Sequence, residues 1–129
     1  MGLAHARFTR DFDLGYLTVE ISSDAFHGIA EIHIYVTDIP RIEKFLEELK
    51  VYPLMPCSLV ISNDETLEIS AKPQGLGGHL KLEIRVEASN SNMARLGFGM
   101  DHPSIGRFRT QFGKIIKAEL ESFELTGLL

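Results

Sequence analysis

Shifted by 63 residues against itself, the chain matches in two places without a gap. Gly15, Leu17, Glu20 and Ile21 meet Gly78, Leu80, Glu83 and Ile84, while Asp38, Pro40, Ile42 and Phe45 meet Asp101, Pro103, Ile105 and Phe108. Nine of the 35 positions in 15–49 and 78–112 are identical, where unrelated sequence of this composition gives roughly two. A repeat of this length constrains the fold strongly, because each copy must build the same unit and supply its share of one core. Each copy reads as strand, turn, strand, capped helix. One stretch misfits: Ile32, Ile34 and Val36 fall on Arg95, Gly97 and Gly99, so the second strand's apolar parity is reversed. A bulge or a one-residue slip restores it, since one extra residue turns every side chain to the other face. Convergence of two unrelated strand–strand–helix segments on the same caps is the competing explanation, and both stay open.

The local pattern within each copy has a physical basis. Leu17, Val19 and Ile21 alternate with Tyr16, Thr18 and Glu20, the period of a strand with one buried face. After the Ser22-Ser23-Asp24 turn, Ile29 to Val36 resumes the alternation. A helix then opens at Asp38, whose carboxylate is placed to cap free amides, with Pro40 where a missing N–H costs nothing. Ile39, Ile42, Phe45, Leu46 and Leu49 form one stripe at helical spacing, and Tyr52-Pro53 ends the helix. Leu59–Ile61 and Leu67–Ile69 flank Asn63-Asp64, a pair that tolerates the positive φ of a tight hairpin.

Beyond the Gly75–Gly78 loop, Leu80, Leu82, Ile84 and Val86 alternate with Lys81, Glu83, Arg85 and Glu87, and Ala94 to Met100 forms another strand. Asp101-His102-Pro103 opens a second helix, Pro103 to Lys117, with Ile105, Phe108, Phe112, Ile115 and Ile116 on its apolar stripe. The tail to Leu129 continues that helix or adds a short extension.

These segments predict an α+β fold: a mainly antiparallel sheet of about six strands, in one piece or two, with two amphipathic helices in the order ββα-ββ-ββα. Residues 1–14 read as a flexible lead-in to one domain over 15–129. Its repeat halves, 15–50 and 78–117, are joined by a hairpin over 51–77. The 129-residue length suits one core.

Composition excludes several classes. Cys57 is the only cysteine, so an internal disulfide framework and a cysteine-rich zinc site are out. No 18 consecutive apolar residues occur, and residues 1–14 lack the apolar run of a signal peptide. A cytoplasmic protein is the expectation. The formal charge of −5 argues against a dedicated nucleic-acid binder. That charge is uneven: −4 in 15–50, −2 in 51–77 and +1 in 78–129. The second helix carries Arg107, Arg109, Lys114 and Lys117 without an acid.

Catalytic constellations are sparse. Gly75-Leu76-Gly77-Gly78 leads into a strand, not a helix N-terminus, so it reads as a turn instead of a phosphate cradle. The five histidines form no metal-ligand spacing, and no catalytic, metal or cofactor residue is assigned. Glu31, His33 and Tyr35 share one strand face, where a carboxylate beside a histidine suits acid–base chemistry or an exposed polar surface. Cys57 lacks a predictable histidine or helix N-terminus to stabilise a thiolate and reads as a buried apolar side chain.

The order of motifs carries a resemblance. The run Phe26-x-Gly28, the helix Phe45-Leu46-Glu47-Glu48-Leu49, a short hairpin, Gly78-His79-Leu80 opening a charged strand, and an Asp101-led last helix resemble the WapI-type immunity proteins. These are small proteins encoded beside bacterial polymorphic toxins, and the likeness spans roughly residues 15 to 118. The family's Asp-Gln-like opening to the last helix is Asp101-His102-Pro103 here. The resemblance implies a non-enzymatic protein that binds and neutralises a toxin domain. Many such domains are basic nucleases, so Glu43, Glu47 and Glu48 on the first helix become candidate partner contacts. Two other readings remain: a self-associating structural module, and a small-molecule binder or enzyme with a cleft near Glu31, His33 and Tyr35.

Overall fold

A computed structural model describes residues 3–11, 15–51, 55–75 and 79–128. The expected helix stop at Tyr52-Pro53 and the Leu76-Gly77-Gly78 part of the glycine loop lie outside the described residues. Among the described residues, eight strands and two α-helices follow one another: β1 (Leu3–Arg10), β2 (Tyr16–Ser22), β3 (His27–His33), α1 (Ile39–Glu48), β4 (Cys57–Asn63), β5 (Glu65–Pro73), β6 (Leu80–Glu87), β7 (Met93–Met100), α2 (His102–Ile116) and β8 (Ser122–Leu128). The chain is α+β, as expected, but it holds two four-stranded antiparallel sheets instead of about six strands.

The two extra strands correct two expectations. Residues 1–14 were expected to be a flexible lead-in, yet Leu3–Arg10 is an inner strand, paired with β2 on one side and β8 on the other. Its buried positions are Ala4, Ala6 and Phe8, and two alanines give too little apolar contrast for the alternation to stand out in sequence. The tail after α2 becomes β8, whose Phe123 stacks on Phe8 at 4.7 Å.

Strand order explains the repeat. One sheet runs β3-β2-β1-β8 and the other β4-β5-β6-β7. Replacing β2, β3, α1, β4 and β5 by β6, β7, α2, β8 and β1 maps the first sheet's pairing onto the second's. The repeated unit is therefore ββαββ, and the 51–77 hairpin belongs to the first copy instead of joining two copies. Its counterpart is the β8–β1 pair, contributed from the two ends of the described chain.

The reversed parity also resolves. Leu17 pairs with Ile32 and its counterpart Leu80 pairs with Met100, so β7 is offset by 68 residues from β3. The β6–β7 hairpin is thus five residues longer, and that odd number turns the apolar face over. The link from Met100 to Asp101 is five residues shorter than that from Ile32 to Asp38, which returns the helices to the original offset of 63.

The inner faces form one core that includes Leu17, Ile21, Ile32, Leu67, Ile69 and Leu82. Strand β3 lies against β4, β5, β6 and β7, while β7 reaches β1, β2 and β8. Gly28 permits the approach of β3 to β7: a Cβ there would stand 2.3 Å from the Cβ of Ala94. Helix α1 lies on β4, and α2 lies on β1 and β8, where Phe108 and Phe112 meet Phe8. Helix burial follows the apolar stripes read from sequence: Ile42 and Phe45 on α1, and Ile105, Phe108, Phe112, Ile115 and Ile116 on α2.

Candidate functional site

Antiparallel pairing of β2 with β3 sets out four rows on the outer face of the first sheet: Tyr16 beside His33, Thr18 beside Glu31, Glu20 beside Ile29, and Ser22 beside His27. The His33 ring meets Tyr35 edge-on at 4.2 Å and Tyr16 at 5.1 Å. Gly15, at φ +76°, keeps this cluster open, because a Cβ there would stand 3.0 Å from Nε2 of His33. Further along, Nε2 of His27 lies 2.7 Å from the Glu20 carboxylate.

On this face and in the segments that flank its strands, several large apolar side chains are exposed. Tyr16, Phe26, Ile29, Tyr35 and Val36 are all exposed, Val36 at 86% and Tyr35 at 48%. Met93 of the neighbouring β6–β7 hairpin shares with Ile29 a cavity of about 290 Å³. The acids here are Glu20, Asp24 and Glu31, and no lysine or arginine occurs between Gly15 and Pro40. Arg7, across from Glu20 on β1, is held by Glu124 at 2.8 Å.

The open edge of β3 is closed by side chains from the β4–β5 hairpin. One Glu65 oxygen accepts the Glu31 N–H at 2.6 Å, and the other accepts the Ser89 N–H at 3.0 Å. Burial pushes the Glu65 carboxyl up, but these amides more than offset it and hold it below the ordinary carboxylate range. Asn63 donates to the His33 carbonyl at 2.7 Å and to Asp38 at 3.0 Å. Asp38 also accepts the Tyr35 N–H at 2.9 Å and an Arg41 N–H at 2.5 Å. Expected as the cap of α1, Asp38 makes no side-chain capping bond to that helix. Its buried carboxylate is taken by Asn63, Arg41 and the strand exit instead, which fixes the backbone that carries Tyr35. Asp101 does cap α2, accepting the Ser104 N–H at 2.8 Å.

Glu31, His33 and Tyr35 therefore do share a face, with Glu31 and Tyr35 exposed and His33 half-buried. Five cavities among the described residues, the groove between α1 and α2 included, have none of the three in their walls. The face presents rings and carboxylates at the surface.

The acids of α1 stand elsewhere. Glu43 and Glu47 line a groove of about 700 Å³ between α1 and α2, while Glu48 borders a smaller groove with Arg41 and Val60. Glu47 is bonded to Lys50 at 2.9 Å; that bond, the Lys50 charge and, more weakly, Arg109 hold its carboxyl below the ordinary range. Arg41, Lys44 and Lys50 intersperse these acids, so α1 is mixed in charge.

Burial raises the Cys57 thiol to about 11, with Glu48 adding to the effect, and leaves it an unreactive core side chain. Among the described residues, no three His, Cys, Asp or Glu side chains gather as a metal site would require. No helix among them is long and apolar enough to cross a membrane. Sequence reasoning overlooked Phe26, Ile29, Val36 and Met93 as surface residues, because an apolar residue in a strand is read as core. The absence of lysine and arginine over 15–40 was the legible signal. Compared with protein families, curated proteins and solved structures, the chain finds no match.

Proposed function

We propose that this chain is a non-enzymatic binding protein of the immunity type, which neutralises a toxin domain by receiving a basic surface of it on the outer face of β2 and β3. The supporting observation is the exposure of Tyr16, Ile29 and Tyr35 beside Glu20 and Glu31, with Phe26, Asp24 and Val36 exposed in the segments that flank the two strands and no lysine or arginine over 15–40. Aromatic side chains and methionine are favoured at the centres of protein interfaces, where they bury much area at little entropic cost. Carboxylates around them, with no lysine or arginine over 15–40, steer a cationic partner and reject acidic ones. Glu31, His33 and Tyr35 become contact residues in this reading, and Glu43, Glu47 and Glu48 lie outside the main contact. The cytoplasm of the producing cell is the place of action, and no cofactor takes part.

Co-expression with the toxin domain encoded beside this gene tests the reading. Growth is expected with the native chain, and loss of protection with Glu31→Lys combined with Tyr35→Ala. Glu43→Lys combined with Glu47→Lys should leave protection intact. A neighbouring metabolic operon with no toxin gene, or protection that survives the first pair of changes, overturns it.

Self-association is the second reading, favoured by the same exposed apolar face. Strand-edge pairing through β3 is disfavoured, because Glu65 and Asn63 already occupy polar groups on its edge. Mass measured across a concentration series separates a self-associating module from a monomeric inhibitor.

A further inference from the structure

Five cations of this protein, Arg7, Arg41, Lys50, Arg85 and Arg95, are held in ion pairs with carboxylates. On α2, Arg107 reaches only the Ser104 hydroxyl, and no carboxylate lies within ion-pair distance of Arg109, Lys114 or Lys117 among the described residues. Arg109, Lys114 and Lys117 line the groove between α1 and α2, joined from the α1 side by Lys44; Arg109 acts on the Glu47 carboxylate there, whereas Lys44, Lys114 and Lys117 form no ion pair among the described residues. The groove is open to solvent and its floor is low: Leu46 and Gly113 meet there, and a Cβ on Gly113 would stand 3.6 Å from the Leu46 side chain. This surface is separate from the β2–β3 face and opposite to it in charge.

We propose that the inter-helix groove is a second docking surface, one that takes an acidic peptide segment of a partner protein. Charge complementarity carries the assignment. A solvated lysine pairs weakly with an exposed acid, but several unpaired cations along one groove add their fields at an approaching polyanion. The groove's own acids choose between polyanions. Glu43, Glu47 and Glu119 share its walls with the cations. A continuous phosphate backbone would run against those carboxylates, whereas glutamates spaced along a peptide can meet the cations and pass between the acids. The groove lining also contains no aromatic ring on which a base could stack. The proposal stands independently of the toxin-neutralising reading, since it concerns other residues and the opposite charge.

Fluorescence anisotropy with the intact chain at low ionic strength tests it. The probe is a labelled helical peptide with glutamate at every fourth position, compared with its lysine counterpart and with a single-stranded oligonucleotide of equal charge. The glutamate peptide should bind, and Lys114→Gln combined with Lys117→Gln should weaken it about tenfold at unchanged thermal midpoint. Glu31→Lys, on the other face, should leave this affinity alone while disturbing toxin protection, so the two readings fail separately. Equal binding of the lysine peptide, unchanged affinity in the double variant, or tighter binding of the oligonucleotide overturns the proposal. So does a mass that rises with concentration and falls in the double variant, which would make a second copy the occupant.

Discussion

Asp38 is the one charged side chain buried among the described residues, and it binds three groups from separate segments: the Tyr35 N–H, the Asn63 amide and the Arg41 guanidinium. A buried carboxylate in such a setting stabilises chiefly by leaving none of its partners unpaired. Asp38→Ala should cost about 3 kcal/mol, read from urea unfolding, because it strands the strand-exit amide and one face of Asn63. Asp38→Asn keeps the shape and should cost less. Cys57 offers a test with a defined sign. Its thiol is raised from 9.0 to about 11 in the folded chain, so the stability it confers is complete below pH 9 and lost as pH climbs towards 11. The urea midpoint should fall across that window, with a smaller fall in Cys57→Val. Both aspartates of the repeat looked like helix caps in sequence, and one is. Asp101 has only its own helix to serve, whereas Asp38 meets Arg41 and the distant Asn63, a partner no local pattern reveals.

At the scale of elements, strands with contrasting alternation were legible and weakly contrasting ones were not. Strand β6 alternates Leu80, Leu82, Ile84 and Val86 with four charged residues and is found where expected. In β1 the buried positions are mostly alanine, and pairing with β2 and β8 on both sides makes the strand. The long β6–β7 hairpin was equally hidden, because five residues added over the hairpin, strands and turn together, are offset by five lost in the link that follows and the repeat spacing stays unchanged. Gly28 marks where β3 crosses close to β7. Gly28→Ala would bring two methyl carbons to 2.3 Å unless the strands separate. The expected cost is about 2 kcal/mol in thermal or urea unfolding. Adding Ala94→Gly to that variant removes the opposing methyl and should recover much of the loss.

Across the whole molecule, the two copies of the ββαββ unit interlock so that one copy is split: β6, β7, α2 and β8 are completed by β1. Leu3 faces Leu128 across the β1–β8 pair, close enough for a short linker. A chain opened between β5 and β6 and joined from residue 128 to residue 3 makes both units contiguous. It should fold with a native circular dichroism spectrum and one cooperative transition; a permuted chain that stays unfolded would show that the present order is required. Charge is arranged on the same scale. The acidic excess of residues 15–77 is expressed on the β2–β3 face, where His27 alone lies against a carboxylate, that of Glu20, and no lysine or arginine occurs over 15–40, and muted on α1, where Arg41, Lys44 and Lys50 intervene.

What the sequence determined by itself was periodic or local: the two-residue alternation of the clear strands, the helical stripes, the Asp101 cap, the offset of 63 and the stretch without lysine or arginine. Each depends on residues within a few positions of one another, or on a spacing counted along the chain. Tertiary structure alone decided that β1 and β8 are strands, that Asp38 braces a strand exit, and which acids and apolar side chains remain uncovered at the surface. Those outcomes depend on partners tens of residues away, whose proximity exists only once both sheets have formed.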